Sequence, residues 1–128
     1  MQPDTGAPSP ETLLLDLRQG QLVTFGDVLD VIEAHYRFTP AAFDNGIGDD
    51  AVCNAVDQNQ GSCRVFAFAR LHDLTEKETL TCFAEHYRAV LDEPEGTGHA
   101  NIRRFMRDGW AGIRFHGEPL ARRRRDAQ

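Results

Sequence analysis

Apolar residues recur at helical spacing along much of the chain. Leu13, Leu14 and Leu17 share one helical face, and Gly20 supplies a stop just after them. A second helix is predicted from about Asp27, with Val28, Leu29, Ile32 and Tyr36 at i, i+3/4, i+7/8 spacing. Pro40 then forces Thr39 into extended geometry, and residues 36–38 read as a short strand or extended piece. Thr75 and Glu78 form a capping box ahead of Leu80, Phe83, Ala84, Tyr87 and Leu91. These five follow a 3.6-residue repeat, which predicts one continuous helix ended by Pro94 and Gly96. A further helix is predicted over residues 98–108, with Ile102, Phe105 and Met106 on one face and Gly109 as its C-terminal signal.

The centre of the chain is less periodic. Residues 44–60 are rich in Asn, Asp and Gly, with a turn at Asn45 and Gly46. So long a loop is unusual in a compact domain, and residues 51–56 are a candidate short strand within it. Residues 63–72 are apolar without a clean period. Ser62 as N-cap, with Cys63, Phe66, Ala67 and Arg70, favours a mostly buried helix there. Residues 113–115 alternate between glycines and read as a strand. The expected fold class is α+β: a mainly helical single domain with about five helices and a small sheet of two or three short strands. Residues 1–10 carry three prolines and small polar residues and read as a flexible lead. Residues 121–128 read as a flexible Arg-rich tail, which leaves a domain at 11–120.

Composition narrows the classes. The 128 residues suit one domain. Apolar residues at 41% and charged residues at 27% mark a soluble globular chain. The net charge of −6 argues against nucleic acid and against a membrane surface as partners. That figure averages two parts. Residues 1–121 carry ten basic and nineteen acidic side chains, a net charge of −9, and Arg122 to Arg125 form the basic end. Three cysteines without a regular framework disfavour a disulfide scaffold. No apolar run approaches the ~18 residues of a membrane span. The N-terminus lacks an apolar signal segment, so a cytoplasmic location is expected.

The reactive side chains are Cys53, Cys63, Cys82 and five histidines. Cys63 follows the expected N-cap directly, where the helix end and free N–H groups favour a thiolate. His86 or His99 is the candidate base, with Asn59, Asn101 or Asp57 as the orienting group. The opposing reading makes Cys63 a small buried hydrophobe at a helix start. Arg103 and Arg107, spaced i, i+4, form a basic stripe that can bind an anion or pair with local carboxylates. Trp110, between two glycines, lines a groove or anchors the core. No metal site is expected: CxxC and HExxH are absent, and Asp44, Asn45, Asp49 and Asp50 lack calcium-loop spacing. No cofactor is expected either.

Several long strings carry a resemblance. They are YRFTPAAFDNG (36–46), NQGSCRVFAFA (59–69), CF (82–83), HYR (86–88), PEGTGHANIRRFM (94–106) and GWAGI (109–113). In this order they resemble the HopJ type III effector family, also called HopPmaJ-like, over about residues 11–120. The resemblance implies a bacterial source, and by the family name a protein delivered by type III secretion into a host cell, with a host protein as partner. It brings no catalytic residues with it. Three classes of function follow: an effector or interaction protein, a small thiol-dependent hydrolase or transferase in the cytosol, and an anion-binding module.

Overall fold

The structure, a computed structural model, describes residues 9–123. Six α-helices are present among them. Helix α1 (Pro10–Arg18) begins at Ser9, whose hydroxyl accepts from the Thr12 N–H. Helix α2 (Phe25–His35) opens on a capping box of Thr24 and Asp27. The start falls earlier than the apolar spacing alone suggests, because Phe25 and Gly26 lie inside that box. Strands β1 (Tyr36–Phe38), β2 (Phe43–Asn45) and β3 (Val52–Asn54) follow. Asn45, expected in a turn, ends β2, and the turn begins at Gly46.

Helix α3 (Gln60–Leu71) is the centre of the core. Its Val65, Phe66, Phe68 and Ala69 are fully buried. The Phe66 ring lies 5.1 Å from Phe105, 5.2 Å from Phe83 and 5.9 Å from Phe43, between centroids. The N-cap is Asn59, not Ser62. Gln60 explains the earlier start. Its side chain clasps Ala41 through both the amide N–H and the carbonyl, which fixes the backbone at that point.

The helix expected after Thr75 is two helices, α4 (Glu76–Cys82) and α5 (Glu85–Asp92). The capping box of Thr75 and Glu78 is present. The break falls at Ala84, with φ 54 and ψ −122. Phe83 and Ala84, at the break itself, are buried, whereas Leu91, placed on the same face by its spacing, is exposed. Helix α6 (Ala100–Asp108) leads through a 3-10 turn (Gly109–Gly112) into β4 (Ile113–Phe115) and β5 (Leu120–Arg122). The strands make two antiparallel sheets, β1–β5 and β3–β2–β4. This is an α+β fold.

Gly112 sits against Gly46. A Cβ on Gly112 would lie 2.7 Å from Gly46 backbone, so only glycine permits the contact. The Gly46 N–H donates to Gly112 carbonyl at 2.9 Å there.

Strand β5 alters the boundary drawn from composition. Ala121 and Arg122 belong to the folded unit, with Tyr36 opposite Arg122 in the register. The Arg122 guanidinium donates to Glu11 at 2.9 Å and lies over the Tyr36 ring. Ser9 and Pro10, placed in the lead, begin α1. Residues 1–8 and 124–128, with Arg124 and Arg125, lie outside the described residues. Among the described residues no helix is long and apolar enough to cross a membrane.

Beside that clasp, the Tyr36 hydroxyl and His72 Nε2 are hydrogen-bonded to each other. Burial pushes Tyr36 up to about 12 and pushes the His72 imidazole below its ordinary 6.5. Arg122 adds to the His72 effect. The unfolded chain therefore takes up this proton more readily than the folded one. Stability contributed by neutral His72 is present above 6.5 and lost as pH falls through the lower folded value. Chemical denaturation across pH 7 to 5 is expected to show this fall, and His72→Gln is expected to flatten it. An unchanged slope in the variant would contradict the assignment.

Candidate functional site

The six helices divide by how they begin. Helices α1, α2 and α4 start from Ser9, Thr24 and Thr75, each with a side-chain cap. Helices α3, α5 and α6 start from Asn59, Ala84 and His99, and none has a side-chain cap bond. All three of those residues have positive φ: 52, 54 and 58. The one other such non-glycine residue among those described is Asp73. Left-handed backbone costs about 1–3 kcal/mol at a residue with a Cβ and persists only where its surroundings hold it.

The starts of α3 and α6 meet at one cleft of about 400 Å3, lined by Phe25, Asn59, Ser62, His86, His99 and Asn101 among others; α5 contributes His86. His86 and His99 lie 5.1 Å apart between ring centroids, at 40°. The edge of Phe25 meets His86 at 4.8 Å and 74°. Neither imidazole makes a hydrogen bond among the described residues. Glu85 ties the wall together: its carboxylate accepts the Phe25 N–H at 2.8 Å, which holds its carboxyl below the usual range.

A buried amide network supports the other wall. Asn54 Oδ1 accepts from Asn59 Nδ2 at 2.7 Å and from Asn101 Nδ2 at 2.9 Å. Asn45 Nδ2 donates to the Asn101 backbone carbonyl at 2.8 Å and to its Oδ1 at 3.0 Å. The network thus joins β2 and β3 to the first turns of α3 and α6. The sequence pattern did not point to Asn54, and it placed Asn45 only in a turn and in a rejected calcium loop. The available signal was strand parity, since Asn45 shares a face with buried Phe43 two residues earlier.

The sequence of this chain matches the model of one protein family, described as HopJ type III effector protein, over residues 11–120. The chain belongs to the HopJ family. A solved crystal structure described as "unknown function protein VPA0580" is similar to it. The two chains are 38% identical, with a TM-score of 0.86, over 95% of the HopJ chain and 100% of the other. Among curated proteins, none matches the chain.

Of the candidate residues, the HopJ fold brings Asn59, His86 and His99 together and leaves Cys63 out. Cys63 is fully buried and its thiol donates to the Ala41 carbonyl at 3.7 Å. Because α3 starts at Asn59, the Cys63 N–H is already bonded to the Asn59 carbonyl at 3.0 Å. The free N–H groups lie earlier, at residues 60–62. Burial pushes the thiol up to about 11. Cys82 is buried likewise and Cys53 is exposed. A disulfide-exchange reagent is therefore expected to titrate one thiol quickly in the native HopJ protein, at Cys53, and all three after unfolding. Rapid native labelling of Cys63 would contradict this geometry.

Arg103 does not form a free stripe with Arg107. Its guanidinium donates to the Gly98 carbonyl at 2.6 Å and the Pro94 carbonyl at 3.3 Å, closing the α5–α6 loop. Arg107 stays exposed beside Asp108. Arg104, between them, is the buried one. It binds Asp108 at 2.7 Å, Asp50 at 2.8 Å and the Ile47 carbonyl at 2.9 Å. Trp110 packs on Phe66 and Phe105 and donates to the Leu74 carbonyl, away from the cleft. Among the described residues no group of three His, Cys, Asp or Glu side chains can hold a metal. Asp44 pairs with His116, whose hydrogen bond holds the Asp44 carboxyl low.

Proposed function

We propose that this HopJ chain is a binding protein that takes a small anionic group, a carboxylate or a phosphate, into the His86–His99 cleft. One observation carries this reading: the two uncapped starts of α3 and α6, each held in left-handed backbone at Asn59 and His99, meet where the two imidazoles meet. An uncapped start leaves first-turn N–H groups without a side-chain acceptor and places the positive end of the helix there. Such ends favour anions. The imidazoles, Asn59 and Ser62 add side-chain donors, and Phe25 adds an apolar wall. The thiol-enzyme reading has less support, because its nucleophile is buried outside the cleft.

Thermal unfolding in the presence of phosphate, citrate and a set of phosphorylated metabolites tests the reading. At least one is expected to raise the midpoint as its concentration grows, as a ligand of the native state does. The rise is expected to vanish in His86→Ala/His99→Ala. That control separates cleft binding from general salt stabilisation. An equal rise in both proteins, or none across the set, contradicts the proposal.

Family membership supports a compatible second reading, in which the protein acts inside a host cell after type III secretion. A translocation reporter fused to residues 1–24, ahead of α2, tests it. No transfer from a secretion-competent strain would count against delivery.

A further inference from the structure

A second cleft, of about 450 Å3, opens between the α1–α2 loop and helices α4 and α5. It shares no lining residue with the His86–His99 cleft. Arg18, Lys77 and Arg88 line it, against one carboxylate, Glu78. Lys77 is the only lysine of the chain. Residues 1–121 carry nineteen acidic and ten basic side chains, so three cations on one cleft run against the charge of the whole. Glu78 is engaged by Arg18 at 3.6 Å. Lys77 and Arg88 make no ion pair among the described residues.

The same cleft holds Leu22, whose 80% exposure is the highest among the exposed large hydrophobic residues. Beside it Gly20 has open space around it, with no atom within 4 Å of a Cβ position. An exposed leucine beside unpaired cations is a surface that water serves poorly and a mixed ligand serves well.

We infer that this cleft docks an acidic peptide segment of a partner protein: carboxylates meet Lys77 and Arg88, and an aliphatic side chain rests on Leu22. Charge complementarity selects the occupant. Nucleic acid is disfavoured, since its repeating phosphates bring no aliphatic side chain to the exposed Leu22. Recognition of acidic motifs by clustered cations is a common mode of peptide binding.

The test is a selection from a random peptide display library on the full chain. Peptides with carboxylates flanking an aliphatic residue are expected to enrich. The best of them is expected to shift the amide signals of Leu22, Lys77 and Arg88. Lys77→Glu/Arg88→Glu is expected to bind it about tenfold more weakly. Both side chains are exposed, so the melting midpoint stays at the parent value. His86→Ala/His99→Ala is expected to bind the peptide as the parent does, which keeps this outcome separate from that of the first cleft. Any of four results overturns the inference: no enrichment, enriched peptides without carboxylates, equal binding by Lys77→Glu/Arg88→Glu, or loss in the histidine variant. So does inorganic phosphate, or a phosphatidylserine vesicle, that moves the same signals as tightly as the peptide.

Discussion

Phe66→Ala is expected to lower the unfolding free energy by about 3–5 kcal/mol, the usual range for removing a buried phenylalanine. The ring is fully buried and touches Phe43, Phe83, Phe105 and Trp110. Those partners come from β2, the α4–α5 junction, α6 and the 3-10 turn. One side chain therefore joins four parts of the chain. A domain of this size has about 5–15 kcal/mol in all, so the loss removes a large share. Urea unfolding measures it, as a fall in midpoint with little change in slope. Phe66→Leu retains much of the volume and is expected to lose less. A loss below about 1 kcal/mol for Phe66→Ala would mean that the four parts hold together without it.

Asn54→Ala has the second largest expected effect. The side chain is buried and accepts from Asn59 and Asn101 while donating to the Phe43 carbonyl at 3.2 Å. Its removal strands the Asn101 amide in a buried position and frees the Asn59 amide. A buried polar group left unpaired costs about 1–3 kcal/mol. With the loss of the bonds to β2, about 2–4 kcal/mol is expected from chemical denaturation. The same substitution unties the α3 start from the α6 start. Anion-dependent stabilisation is expected to weaken along with stability, although Asn54 does not line the cleft. A stability change near zero would show that water replaces the side chain without loss.

Much of this fold is legible in the apolar spacing. Leu13, Leu14 and Leu17 place α1, and the Thr75 and Glu78 box places α4. The break at Ala84 is not legible, because alanine favours helix and the spacing runs straight through it. Only packing of Phe83 and Glu85 against Phe25 reveals why the axis turns there. Strand β5 was hidden by the arginine run that begins at its last residue, Arg122, and reads as a solvated tail. Its backbone pairs with β1, and Arg122 finds Glu11 more than a hundred residues earlier in the chain. At the site, Asn59, His86 and His99 stand out by residue type. Phe25, Asn45 and Asn54 do not, because their part depends on long-range pairing. Cys63 misled for a local reason: Ser62 is a good cap by type, but Gln60 pins the helix start further back.

The proposed anion site lies between His86 and His99. Following the imidazole ring signals of all five histidines by NMR during titration with phosphate and citrate tests it most directly. The His86 and His99 rings are expected to shift together and saturate, while the exposed His116 ring, paired with Asp44, stays in place. Equal drift of His116 with the other two, or still signals at His86 and His99, would contradict it.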